Sequence, residues 1–405
     1  MVNHLAVGIS RLFGFASMLC FAFSMCVSAQ ELAFSSKVMG PVSNVVTYSA
    51  DGKLQQVTDN IRWRDVDADI SSLGAVAFSS NREESTEIDI HRRTEAFDIY
   101  WAPQRGGALE RLTKTPGNEM LPRFSPDGRR LAYVYERSQL LVQALPKSDT
   151  PDKKGKSPQP VFSAGEILDF AWSPDGSSFV IAMRSETGAA LMLLRPACHS
   201  SEDPGVSGKS GDHFPSNDAI PFIPSVLKEF PRLGAQAEGS CPQCGSVTSL
   251  AWSPDGERIA YILHPDEAGV RTLRVLALQG REDVPVSDAS HQVQSPVSWS
   301  ADNKSLLYSA LVDYRYFYDE RNHRKVYEGS MQVFHTDLDG HREPLAGAGG
   351  AARAPVFFGD SQIAYLFAEQ LDARKYSLVV QDLQGGERQR IFDDVSKKSV
   401  LAVRN

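Results

Sequence analysis

Residues 312–329, VDYRYFYDERNHRKVYEG, interleave aromatic and cationic side chains: Tyr314, Tyr316 and Phe317 precede Arg321 and His323. Aromatic and Arg side chains are the usual anchors of recognition surfaces, because they bury large areas and carry polar ends. The stretch therefore reads as a partner-binding loop, with rings also suited to stacking on sugars. The plainer reading is a β-hairpin whose alternating tyrosines lie against the body of the protein.

Four histidines offer a second chemistry. His91, His264, His291 and His323 fall in separate connections between strand-like runs. Imidazole is a common ligand for divalent metals, but no two of these lie at a local metal-binding spacing. A divalent metal is thus only the alternative, and the leading expectation is no cofactor. Cys241 and Cys244 have the C-x-x-C spacing, with Cys198 upstream. One such pair without a second is weak for zinc, so a local Cys241–Cys244 disulfide is expected in an oxidising compartment. GVSGKSG (205–211) fails as a phosphate loop because Asp203 stands where the first glycine is required. No G-x-S-x-G nucleophile elbow is present. No residue is assigned a catalytic role.

The start of the chain points to export. Leu12 to Met25 is almost unbroken apolar sequence, followed by small residues at Val27-Ser28-Ala29. This pattern predicts a signal peptide over 1–29, shorter in its apolar core than a bilayer span, and a periplasmic or secreted product. No membrane insertion is expected after cleavage. A net charge of −8 gives no electrostatic footprint for nucleic acid.

The elements that must position these residues are written as a repeat. FSPDG at 124–128 recurs as WSPDG at 172–176 and 252–256, and as WSADN at 299–303. Phe124 and Trp172 are 48 residues apart, Trp252 and Trp299 are 47 apart, and an insertion lengthens the middle interval to 80. Each copy ends a strand on an aromatic, turns on Ser-Pro-Asp-Gly, and enters a second apolar strand such as RLAYVYE or RIAYILH. A period of 40 to 50 built from strands predicts a β-propeller. The expected fold is all-β: six four-stranded antiparallel blades over 62–394, with seven as the alternative. Residues 30–61 supply a ring-closing hairpin and 395–405 a closing strand or tail. Residues 198–240, rich in Ser, Gly, Pro and Asp, read as a mobile insertion.

PRFSPDGRRLAYVYE, LAWSPDGERIAYILH and AFSSNREE…FDIYWAPQRGGALERLT resemble the repeats of the TolB-like propeller family over roughly residues 60 to 394. The resemblance implies the propeller fold and a role in binding partners. It departs from TolB itself in lacking that protein's N-terminal α/β domain. The expected function is an exported, non-catalytic propeller that binds an envelope protein or cell-wall component. The alternative is a propeller enzyme, a lyase or hydrolase of oligosaccharides, with a divalent metal as its candidate cofactor.

Overall fold

The computed structural model describes residues 30–82, 96–104, 106–146, 158–197, 221–232, 244–266, 269–359 and 361–404. The leader expected at 1–29 lies outside them. Among the described residues, no helix is long and apolar enough to cross a membrane.

Among the described residues, every regular element is a strand. The first three are β1 (Glu31–Lys37), β2 (Ser43–Ser49) and β3 (Leu54–Gln56). Four separate four-stranded antiparallel sheets follow. They comprise β4 (Asp65–Ile70), β5 (Val76–Ser80), β6 (Asp98–Ala102) and β7 (Glu110–Arg111), then β8 (Glu119–Phe124), β9 (Arg130–Tyr135), β10 (Gln139–Ala144) and β11 (Gln159–Ser163). The third contains β12 (Glu166–Trp172), β13 (Phe179–Arg184), β14 (Gly188–Pro196) and β15 (Phe222–Pro231); the fourth contains β16 (Gly245–Trp252), β17 (Arg258–Pro265), β18 (Thr272–Ala277) and β19 (Asp283–Pro285). Next come β20 (Gln292–Trp299), β21 (Ser305–Asp319), β22 (Arg324–Asp337) and β23 (Arg342–Ala346). The chain ends with β24 (Ala351–Phe358), β25 (Gln362–Ala368), β26 (Lys375–Asp382), β27 (Gln389–Ser396) and β28 (Ala402–Arg404).

The protein is an all-β propeller with four-stranded antiparallel blades, but neither six nor seven separate blades form. Hydrogen bonding closes four discrete blades, β4–β7, β8–β11, β12–β15 and β16–β19, and fuses all remaining strands into one twelve-stranded sheet. Two contacts fuse it: a parallel pairing of Met331 with Ala351, joining β22 to β24, and a pairing of Ser36 with Val395, joining β1 to β27. The repeated motif marks where strands turn, not where a ladder of hydrogen bonds stops. β28 pairs with β1 from Glu31↔Arg404 to Ala33↔Ala402, so first and last strands share this sheet. The segment 198–240, read as one insertion, contains β15, the outer strand of its blade.

The turns show why the motif recurs. Ser125, Ser173, Ser253 and Ser300 each donate a hydroxyl hydrogen bond to the Asp two residues on. Each Asp also accepts an amide hydrogen bond two residues further along, at 2.9–3.1 Å. The fourth position has positive φ: +67° at Gly128 and Gly176, +75° at Gly256. Asn303, the non-glycine in the worn copy, has φ +63°. Asn is one of the few side chains that tolerates this region.

The core lies between sheets rather than at one centre. Ile99 and Trp101 of one blade pack with Phe124 and Tyr133 of the next. Val134 and Leu140 pack with Phe170 and Phe179. The second strands repeat a buried tyrosine, Tyr133, Tyr261, Tyr308 and Tyr365, each at most 1% exposed. Burying such a ring stabilises by roughly 2–3 kcal/mol only if its hydroxyl is bonded. Tyr261 donates to Asp283 at 2.9 Å and Tyr365 to Gln381 at 2.9 Å.

Candidate functional site

Two regions present chemistry, and they sit at opposite ends of the strands. The first is an arm formed where β21 and β22 outrun their neighbours. Leu306 to Ala310 are buried, whereas Asp313 to Tyr318 are exposed. The change occurs at a bulge between Val312 and Arg315, with Asp313 at φ +52°. Opposite stands Gly329 at φ +96°, where an added Cβ would lie 2.5 Å from the Val312 carbonyl oxygen. A bulge and a glycine together bend a strand pair away from its sheet.

Beyond this bend the pairing is Arg315↔Glu328, Tyr316↔Tyr327, Phe317↔Val326, Tyr318↔Lys325 and Asp319↔Arg324. Alternation along a strand places Tyr314, Tyr316 and Tyr318 on one face, with Tyr327 and Lys325 across from them. The Tyr316 and Tyr327 rings lie 5.3 Å apart, and Lys325 Nζ sits 5.9 Å from the Tyr316 centroid. Tyr316 and Tyr318 are 49% and 51% exposed, so this tyrosine face is not laid against the propeller. Phe317, 45% exposed, is on the other face. Arg321 and His323 are exposed in the connecting turn, His323 at φ +50°.

The second region is a cavity of about 940 Å³ at the centre of the ring, lined by the first strands of the blades and by Val400 to Arg404. Pro126, Pro174 and Pro254 of the repeated turns also line it, which places it toward the turn end, away from the arm. Its walls are bulged in register. β4 is irregular between Val66 and Asp69, β8 between Met120 and Arg123, β12 between Ile167 and Asp169, and β16 between Thr248 and Ala251. Asp67, Leu121 and Ser249 adopt φ of +53°, +56° and +59° at these bulges. Such distortions re-aim side chains at the rims of closed β-structures.

The bulges turn three carboxylates, Asp67, Asp69 and Asp169, toward the cavity with Arg123. Asp69 accepts the Phe124 amide at 2.7 Å and Asp169 accepts the Leu250 amide at 2.9 Å, each reaching the next blade. Burial pushes all three carboxyls above the usual range, and the Arg123 charge opposes that rise. The motif carried no hint of these residues. The one signal available was an acid within the first strand just before the turn, as in DVDADI and ILDFAW.

Among the described residues, the candidate histidines do not form one donor cluster. His264 Nε2 lies 2.6 Å from the Thr248 hydroxyl, and burial followed by the nearby Arg271 charge lowers its pKa to about 4. His291 Nδ1 meets the Tyr308 hydroxyl at 3.0 Å, its ring 4.2 Å from that of Phe334. His323 is at the arm tip, and His91 lies outside the described residues. Among the described residues, the group of three metal-capable donors within 4.8 Å of one another is Asp337, Asp339 and His341, on the surface. Cys244 is buried and disulfide-bonded; Cys241, the expected partner, lies outside the described residues.

No family model and no curated protein matches the chain. Among solved structures, it is similar to a puromycin-hydrolyzing peptidase of Mycobacterium tuberculosis, at 13% identity and a TM-score of 0.57. That match covers 90% of this chain and 54% of the peptidase, so the chain spans about half of that enzyme. An oligogalacturonate lyase in complex with manganese matches at 11% identity and a TM-score of 0.54, covering 90% of this chain and 86% of the lyase. TolB from Acinetobacter baumannii matches at 12% identity over 93% of this chain and 67% of TolB, with a TM-score of 0.46. At these identities the likeness is one of fold, and fold does not carry function.

Proposed function

We propose that this is an exported, non-catalytic β-propeller that binds a protein partner in the periplasm, with the arm of β21 and β22 as its contact. The observation that carries this reading is the exposed tyrosine face of the arm. A two-stranded ribbon with water on both sides is marginal by itself, and large rings on its surface gain nothing from solvent. Tyr side chains bury area at low entropic cost while keeping a hydroxyl to bond, which suits a contact made after export. Export rests on the leader expected at 1–29.

The oligosaccharide-enzyme reading draws less support. It needs histidines from several connections at one point, and His264 and His291 are engaged with Thr248 and Tyr308 instead.

A photo-crosslinking residue placed at Tyr316 in the full-length protein, expressed in its own cell envelope, tests the proposal. The control position is Lys304, exposed at the turn end. One discrete protein adduct from position 316 and none from 304 is expected, weakened by Arg321→Ala. No adduct from 316, or the same adduct from both positions, overturns the arm as the contact.

A further inference from the structure

The aspartates of the central cavity differ in how fully they are used. Asp69 and Asp169 are engaged by backbone amides of the neighbouring blades, Phe124 and Leu250, so they are clips of the ring wall. Asp67 is different. The Leu121 amide faces its carboxyl, but Asp67 Oδ2 is buried with no hydrogen-bond partner. A buried carboxylate oxygen left without a donor is destabilising, more so if charged.

Arg123 is the matching unused donor. Its guanidinium acts electrostatically on Asp67, Asp69 and Asp169, yet among the described residues it forms an ion pair with none of them. Among the described residues, the guanidinium donates one hydrogen bond, to the adjacent Pro122 carbonyl oxygen at 3.4 Å, at the long limit for such a bond. A guanidinium carries five donors in a fixed fork suited to a carboxylate. The other cation of the lining, Arg404, is already drawn to buried Glu31 at 3.8 Å.

Bare divalent cations fit this arrangement poorly, because Arg123 sits among the carboxylates and the three do not converge within donor distance of one ion. A simple anion would satisfy Arg123 and leave Asp67 Oδ2 orphaned. A neutral polyol would serve Asp67 and leave the guanidinium without a counter-charge. A molecule carrying both an ammonium group and a carboxylate meets both needs at once.

We infer that the central cavity binds a small zwitterion of the amino-acid or short-peptide class, its ammonium group on Asp67 and its carboxylate on Arg123. Trp172, Trp252 and the turn prolines line the same cavity, and its volume of about 940 Å³ exceeds the needs of a single amino acid. This site is separate from the arm, so it stands whether or not the arm captures a protein.

Calorimetric titration of the full mature protein with glycine, glycylglycine and triglycine tests the inference, because the three differ in the separation of their charges. The best of them is compared with its N-acetyl derivative, which lacks the ammonium, and its C-terminal amide, which lacks the carboxylate. Each capped form is expected to bind at least about tenfold more weakly, equal to about 1.4 kcal/mol. Asp67→Asn is expected to abolish the discrimination against the N-acetyl form alone, and Arg123→Gln the discrimination against the amide alone. Binding of capped and uncapped forms alike, heat only from calcium or sorbitol, or no binding by any of the three overturns the assignment. If a variant fails to fold, the comparison of capped and uncapped ligands on the unaltered protein decides the question.

Discussion

The indole Nε1 of Trp172 donates a hydrogen bond to the backbone carbonyl of Arg123, 3.1 Å away and one repeat earlier in the chain. Trp252 makes the equivalent bond to Ala171 at 3.3 Å, and Trp299 to Ala251 at 3.1 Å. In each case the acceptor is the residue just before the aromatic of the preceding repeat. The ring fills the gap between two sheets while its one polar atom ties their first strands together. Trp299→Phe keeps most of the apolar area and removes the bond, leaving the Ala251 carbonyl short of a donor. A loss of about 1–2 kcal/mol in urea unfolding is expected. A variant as stable as the native protein would mean that packing alone holds the contact.

Asp169 performs the same linking task from its side chain. Its Oδ2 accepts the Leu250 amide of the next blade, and its Oδ1 the Phe170 amide at 2.9 Å. Asp169→Ala strands the Leu250 amide at the wall of the cavity and is expected to cost about 2–3 kcal/mol. Asp169→Asn keeps an acceptor oxygen and sheds a charge that burial already disfavours, so it should cost less than half as much. Thermal melts of the two variants side by side check this ordering; equal losses would show that charge, not the acceptor, matters there.

Much of this architecture is legible in the sequence because the repeat encodes local chemistry. Ser, Asp and the positive-φ residue of each turn are fixed by hydrogen bonds within five residues, and the buried tyrosines of the second strands recur in phase. The extent of each sheet is not legible. Whether β22 continues into β24 depends on one pairing, Met331 with Ala351, between residues that no motif distinguishes. The arm is an intermediate case. Alternation predicts that Tyr314, Tyr316 and Tyr318 share a face, but only the bend at Asp313 and Gly329 decides that the face is uncovered. The cavity acids were missed because a buried Asp on a bulge reads, in sequence, like any solvent-facing position of an alternating strand.

The bend itself is open to test. Gly329 has φ +96° and faces the Val312 and Asp313 carbonyl oxygens at 2.5 and 2.7 Å from where a Cβ would stand. Gly329→Ala therefore strains the backbone by about 1–3 kcal/mol unless the arm shifts. Because 313–329 lie outside the packed core, the shift should be local: unchanged cooperative unfolding, with faster proteolytic cleavage within the arm. Cleavage at the native rate would show that the bend does not depend on this glycine.

Glu119 makes the fold less stable as pH rises. It is fully buried, accepting hydrogen bonds from the hydroxyls of Thr115 and, at 3.2 Å, Thr113. Burial pushes its carboxyl up to about 7, the Thr115 bond pulls down, and the Asp98 charge pushes up further. A carboxyl whose folded pKa exceeds its unfolded value favours the folded state most when protonated. That contribution is complete below about 4.5 and is lost as pH rises through about 7, amounting to about 3 kcal/mol over the interval. Glu119→Gln keeps an acceptor for the threonines and cannot ionise. Urea unfolding of both proteins from pH 4.5 to 7.5 should show the variant gaining on the native protein steadily as pH rises. The aspartates of the cavity titrate in both and cancel in the difference. A gap that stays constant across this range would mean that Glu119 is charged in the folded protein, with its charge compensated inside the blade.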